Sequence, residues 1–545
     1  MRGLRLGLVL AWIGFAGLPL FILAREISLA PAAWHVWSDS ARLASLLRNT
    51  ALLVTGTLAL ALPAGCLSAL VLYRSDVPGR HWLRRLVVLC MFVPLPLLAS
   101  AWQSLMSLFG LGTLYLQPGW GLITSIIIQS AAGLPWVIWL AGQGFVWVER
   151  HVEEDALTSG GAWSAFWHVT LPRAMPAIWM AAIWVGVQTA SEITITDMCQ
   201  VRTFAEEVFT QFVKPDPVAE GTADGQSRAL AVAIPPALLT GLAVTALTWR
   251  WRHRLPPLGV PPPSEWPLLR FRAGRLPVTG LIWLMLLIAA GVPIASLIWK
   301  AGRIPPHDWS ASVLFQQMAR AWQAQSIRMF TSLLWSAITG ACIAMLALLI
   351  CWCGLKYRGT WRAIVLCAVV LWSLPGPVIG IGLKETINSL MDVEDLLSGQ
   401  RTEIVSTLLY NGQTPLPVMW ATALRFTPFA IALLWPIVRL LPDELRASVH
   451  TESGLARVEF RHVVWPLSRL AVLRATLICT ALCLGELSAS KIVETPAGQT
   501  FTHEIFTQMH TGVSNHLASM CLILLGFVAV IGALIGLIPA KHGTV

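Results

Sequence analysis

The sequence predicts an all-α polytopic membrane protein with about 12 transmembrane helices. Three observations predict it. Charged residues are only 12% of the 545 positions, where a soluble protein carries about a quarter. Apolar runs of about 20 residues recur along the chain, each long enough to cross about 30 Å of hydrocarbon as a helix. They do not alternate as barrel strands do, and only helices or closed barrels satisfy their backbone in lipid. The third observation is that the basic residues fall on one side of the resulting topology. The mean hydropathy of +0.67 agrees.

The spans fall near 4–24, 51–73, 86–109, 121–146, 174–196, 229–249, 278–299, 331–353, 363–384, 417–439, 471–490 and 518–540. The first follows Arg2 and Arg5, and its apolar stretch exceeds the about 7–15 residues of a secretory signal core. A retained helix is expected. With the N-terminus inside, 24 of the 38 basic residues lie inside and 13 outside, with Arg425 within a span. The acids run the other way, 10 inside and 18 outside. The positive-inside rule supports this topology, with N- and C-termini cytoplasmic. It also accounts for the net charge of +10 without nucleic acid. The ten cysteines lie mostly within spans, and Cys351-Trp-Cys353 lacks the second ligand pair of a zinc site. No disulfide and no metal site is expected.

The chain repeats itself. SGGAWSAFWHVTLP (159–172) returns as SGLARVEFRHVVWP (453–466) at an offset of 294, and Glu192 and Glu486 keep that offset one span later. RTFAEEVFTQF (202–212) returns as QTFTHEIFTQM (499–509), and Pro94-Leu-Pro96 as Pro375-Gly-Pro377. The result is an internal duplication of six spans plus six. Six is even, so both halves enter the membrane from the same side and form a parallel pair. The first repeat covers 1–250, with its core at about 45–250. A Pro/Arg-rich inner linker covers 251–276. The second repeat covers 277–545, with its core at about 325–545. The changing offset places 13 extra residues in the outer loop 385–416 of the second repeat alone.

The duplicated inner stretches, 149–173 and 442–467, carry the mechanism. Glu153, Glu154 and Asp155 suit the start of a short helix. Ser159-Gly160 permits a sharp turn. Trp163, Phe166 and Val169 then recur at helical spacing, and Pro172 is expected to end this piece and start the next span. The pattern predicts a helix–turn–helix on the inner membrane surface. A single copy would read as a loop covering the bundle. Two copies at matched spacing favour a paired docking surface.

These stretches resemble the EAA loop of permease subunits of binding-protein-dependent ABC importers, over nearly the whole chain as two fused permease domains of the ferric-iron and thiamine type. The resemblance implies two six-helix repeats of the type I importer kind. It assigns Glu153 or Glu154 to the motif glutamate, Ala156 to an alanine, Ser159-Gly160 to the glycine, and Val169, Leu171 and Pro172 to the I-x-L-P end. Phe166 keeps its counterpart Phe460 in the second copy. That copy departs further. Ala447 stands where Glu153 does, Glu444 is among the nearest acids, and Trp465 precedes Pro466. Ser453 and Gly454 take the turn. The resemblance implies that both loops couple to two copies of a cytoplasmic ATPase carrying ATP-Mg, and that a solute-binding protein meets the outer face. This chain has no Gly-Lys pair and so no phosphate loop of its own. It is expected to bind no cofactor and to make or break no covalent bond.

Ionisable residues in spans are functional candidates. Arg425 and Glu486 lie at matching depth and are expected to approach each other. They either line the solute path or fix helix packing. Glu192 has no arginine at the equivalent place and is expected to face water. Pro94, Pro96, Pro375 and Pro377 interrupt two spans, as broken helices at transport sites do, and as ordinary kinks also do. The expected function is ATP-driven import into the cytoplasm across a bacterial inner membrane, with ferric iron as the leading solute by resemblance. Thiamine, a phosphonate or a polyamine are the alternatives, and an ion-coupled secondary transporter is the reading from another class.

Overall fold

A computed structural model describes residues 2–113, 117, 119–213, 225–251, 266–271, 274–304, 308–355, 358–398, 403–412, 414–452, 456–495 and 498–538. It is a bundle protein built almost wholly of helices, with ten long and apolar enough to cross a membrane and two bent helix pairs that bring the number to 12.

In the first half the chain runs through α1 (Arg2–Leu29), α2 (Ser40–Arg74), α3 (Arg80–Met91), α4 (Leu95–Leu108) and α5 (Trp120–Val146). It continues through α6 (Arg150–Ala165), α7 (Leu171–Ser191), the short α8 (Thr194–Met198), α9 (Phe204–Val213) and α10 (Gly225–Trp251). The second half begins with α11 (Arg275–Leu286) and α12 (Val292–Ala301), then a two-residue hairpin, Arg303–Ile304 with Asp308–Trp309. It proceeds through α13 (Ala311–Gly354), α14 (Arg358–Ser373), α15 (Gly376–Ser398), α16 (Ile404–Leu409) and α17 (Leu416–Arg439). It ends with α18 (Asp443–Glu452), α19 (Ala456–Glu459), α20 (Trp465–Gly485), α21 (Phe501–Met509) and α22 (Asn515–Leu537).

The spans expected at 86–109 and 363–384 are not straight. α3 and α4 meet at 99°, and α14 and α15 at 107°. Proline explains both. Pro94 precedes α4 with extended backbone and Pro96 sits in its first turn, where a missing N–H costs nothing. Pro375 and Pro377 flank the start of α15 in the same way. The extra residues of the second repeat are largely helical. They extend α15 to Ser398 and form α16, whose Ile404 and Val405 N–H groups are capped by the Glu394 carboxylate at 3.1 and 2.9 Å.

The described chain divides into two compact units that exchange segments between the repeats. One comprises residues 1–43, 204–245 and 327–504, the other 44–203, 246–326 and 505–545. In the first unit, Trp12 and Ala16 of α1 are buried in a core with Leu348, Cys351, Leu424 and Leu434. Phe15 stacks on Trp420 at 5.4 Å, and Leu23 lies over Gly382, where a Cβ would meet it at 2.7 Å. In the second unit, α5 and α7 pack closely because small residues let the backbones approach. A Cβ on Gly144 would fall 2.5 Å from that of Ala177, and one on Gly133 2.8 Å from Val185.

Candidate functional site

In the first repeat α6 begins after Glu149 and runs to a break at Gly161, with φ +76° and ψ 178°. That backbone is essentially restricted to glycine. The turn expected at Ser159-Gly160 therefore lies one residue later, and Gly160 stays helical. Beyond the break, residues 162–165 continue without interruption into α7. Pro172 does not end this piece. Over Phe166–Thr170 the helix widens into a π turn, and the Leu171 N–H bonds the Phe166 carbonyl. Pro172 has no N–H to give, and its ring would press on the carbonyl four residues back; the wider turn accommodates both. The second repeat does the same over Phe460–Val464, with the Trp465 N–H on the Phe460 carbonyl ahead of Pro466.

Glu153 is fully buried. Its carboxylate lies 3.3 Å from the Arg74 guanidinium and accepts from Thr170 Oγ1 at 2.6 Å and Trp266 Nε1 at 3.0 Å. Arg74 in turn donates to the Phe145 and Val148 carbonyls at 2.9 and 3.2 Å, satisfying the last turn of α5. Glu153 thus fastens α6 to α2, to the start of α7 and to the linker. The linker residues 266–271 are tied down as well, through the Leu268 and Leu269 N–H groups on the Arg74 carbonyl at 2.8 and 3.0 Å. The remainder of the linker, 252–265 and 272–273, lies outside the described residues.

The second repeat buries a carboxylate from the short helix that leads into its π turn. Glu459 is fully buried and accepts from Arg446 Nε at 3.2 Å. At the offset of 294, Ala447 replaces Glu153, Glu459 replaces Ala165 and Val464 replaces Thr170. The acid has moved from the first helix of the element to the second.

The remaining motif residues divide by exposure. Glu154 is exposed and pairs with Arg150 at 2.7 Å. Ser159, Gly160 and Pro172 are exposed, Ala156 is half-buried and Phe166 is buried. Glu444 and Pro466 are exposed, and Phe460 is half-buried with its ring 5.1 Å from that of Trp352. Ser453 and Gly454 lie outside the described residues. Gly161, Arg74, Thr170, Arg446 and Glu459 were not singled out by sequence reasoning. Only Gly161 left a signal, as the second glycine of a pair.

At the far ends of α7 and α20 a second duplicated device appears. Glu192 follows α7, and its carboxylate accepts from the Thr194 and Ile195 N–H groups at 2.6 and 2.9 Å and from Gln129 Nε2 at 3.1 Å. It is buried rather than facing water, because those donors lie inside the fold. Glu486 follows α20 and accepts from the Ala489 and Ser490 N–H groups at 2.8 and 3.0 Å. Arg425 Nη1 stands 3.4 Å from Glu486 and 2.8 Å from Ser488 Oγ, the approach expected from their matching depth. Gly376, in the bend between α14 and α15, makes room for that arginine, since a Cβ there would fall 2.1 Å from Nη1. The bend, the arginine and the glutamate therefore form one site. No cluster of three or more metal-ligating side chains occurs among the described residues.

Fold and site together define a multi-pass helical membrane protein with a duplicated short-helix element, each copy running through a π turn into a span, and the first broken at Gly161. Comparison with known proteins finds part of this chain similar to transport permeases. It is 30% identical over 148 residues to the molybdate/tungstate transport system permease protein WtpB of Thermococcus kodakarensis, covering 27% of this chain and 57% of that one. It is 30% identical over 153 residues to the diacetylchitobiose uptake system permease protein NgcG of Streptomyces coelicolor, covering 28% of this chain and 47% of that one. The chain spans about half the length of the curated relatives it matches. No family model matches.

Proposed function

We propose that this chain is the transmembrane subunit of an ATP-driven ABC importer, with two permease domains in one polypeptide. The observation that carries the proposal is the duplicated short-helix element that runs through a π turn into a span. Each copy is anchored by a buried carboxylate and leads through a π turn into a span, so a push on it is delivered to the bundle. Similarity to permease proteins of a transport system and an uptake system supports the same class. Two copies of a cytoplasmic ATPase, holding ATP-Mg, seat on these elements. A solute-binding protein delivers to the opposite face. The chain lies in a bacterial inner membrane with both termini cytoplasmic, and nucleotide and binding protein bias a two-state equilibrium between inward-open and outward-open bundles. The Arg425–Glu486 site and its counterpart at Gln129 and Glu192 lie at the outer end of the path.

Ferric iron is the proposed solute, through the resemblance to two-domain ferric-iron permeases. Molybdate or tungstate is the second reading, favoured by the similarity to WtpB. The test is mild-detergent purification of the tagged chain with its partners, followed by uptake from reconstituted vesicles across ferric iron, molybdate, tungstate and thiamine. Recovery of about two ATPase copies per chain supports the class, and the solute that raises ATP turnover supports the substrate. A preparation that transports on an ion gradient with no ATPase bound would sink the proposal in favour of a secondary transporter.

A further inference from the structure

The two copies also differ in what they present to their surroundings. At the offset of 294, Ala162, Phe166, His168, Val169 and Pro172 recur unchanged as Ala456, Phe460, His462, Val463 and Pro466. Among the exposed positions that change, two lie just ahead of the span. Trp163 becomes Arg457 and Trp167 becomes Arg461. Trp163 and Trp167 are 60% and 58% exposed, and Arg457 and Arg461 are exposed too. In each copy the pair is four residues apart and therefore on one face of the helix. The tryptophan rings flank the buried Phe166 at centroid distances of 6.2 and 5.3 Å, so the first element offers an exposed tryptophan pair seated on an aromatic base. The second offers two guanidinium groups from the same places.

These surfaces bind by different physics. An aromatic pair gains by leaving water, and salt does not weaken that gain. A guanidinium pair gains from carboxylates by charge-assisted, often bidentate hydrogen bonds, and exposed charge pairs are screened by salt. We infer that the two elements dock through unlike surfaces, the second requiring carboxylates on the protein it meets. The two ATPase seats are therefore not equivalent. This rests on the reading of both elements as ATPase-coupling elements.

Photo-crosslinking separates the two seats. A benzophenone amino acid is placed at Asp155 in the first element or at Ser448 in the second, both exposed, in the complex purified with its ATPase. Crosslink yield is followed from about 50 to about 600 mM KCl, a range over which the screening length falls from above 10 Å to a few ångströms. The expected result is a fall of about fivefold or more at Ser448 and of less than about twofold at Asp155. Replacing Arg457 and Arg461 by Trp removes the salt dependence at Ser448, and Trp163→Arg with Trp167→Arg confers it on Asp155. Parallel salt profiles at the two sites, or profiles that ignore the exchanges, would overturn the inference. So would transfer of the Ser448 label to anionic lipid in place of the ATPase, which would assign the arginine pair to headgroups. Absence of any ATPase crosslink from either site would instead sink the importer reading beneath it.

Discussion

Glu153 and Glu459 show how much one buried carboxylate holds. Glu153 faces Arg74, Thr170 and Trp266 with no access to water. Removing one partner of such a pair leaves an uncompensated charge. Glu153→Ala is expected to destabilise the protein by about 3–5 kcal/mol, read by unfolding in mixed micelles. Glu154→Ala, which breaks only an exposed pair one turn away, is expected to cost less than about 1 kcal/mol. Equal losses at the two positions would refute the anchoring role. A second residue acts through pH. His510 Nε2 lies 2.8 Å from the Asp197 carboxylate and Nδ1 2.9 Å from the Phe506 carbonyl. Both ring nitrogens face acceptors, so the imidazolium fits best. The hydrogen bond to Asp197 raises its pKa above the usual histidine value, against burial, which lowers it. A raised value contributes stability that is complete below the unfolded pKa of about 6.5 and is lost as pH rises through the folded one. Wild type should therefore melt above His510→Ala at pH 5.5 to 6, and the gap should close toward pH 8.5.

At the scale of the element, shape is set by a few backbone exceptions. Gly161 adopts a backbone that a side chain strains by about 1–3 kcal/mol, whereas Gly160 is helical. If the element couples to an ATPase as proposed, Gly161→Ala is accordingly expected to reduce ATPase recovery several-fold, and Gly160→Ala by less, since its added Cβ meets only the Ser164 side chain. The reverse order would move the hinge back to Gly160. The helix breaks behave similarly. Gly376 leaves space that Arg425 fills beside Glu486 and Ser488. Gly376→Ala must displace the guanidinium, and overpacking of this kind costs about 1–3 kcal/mol. A thermal melt of that variant unchanged from wild type would show that the arginine does not need the bend.

At the scale of the whole molecule, the compact units cut across the duplication. α1 supplies Trp12, Ala16 and Phe15 to a core otherwise built from second-repeat helices. α12 packs with α4 and α22, mixing the repeats in the other unit. Residues 1–250 expressed alone would leave α1 without the core it enters, and residues 277–545 alone would leave that core open. Each half alone is expected to aggregate in detergent, while co-expression of both yields a monodisperse pair. A monodisperse first half, with its tryptophans shielded from quenchers, would contradict that dependence.

The sequence by itself determined the class and the plan. Long apolar runs require helices, because lipid offers the backbone no hydrogen bonds. The offset of 294 marked the duplicated elements, and proline and glycine marked where helices break, since both act on the local chain. The Arg425–Glu486 approach was legible because two charges at one depth in a membrane seek each other. Tertiary structure alone decided which glutamate is an anchor and which faces out. Glu153 and Glu154 are chemically alike in sequence, and only the direction of the helix toward Arg74 separates them. It also decided that Glu192 is buried, because Gln129 reaches from α5 to a carboxylate that already holds its own Thr194 and Ile195 N–H groups. The exchange of α1 and α12 between repeats had no local signal either. Both helices are mostly apolar, and an apolar surface states that it will pack without stating against what.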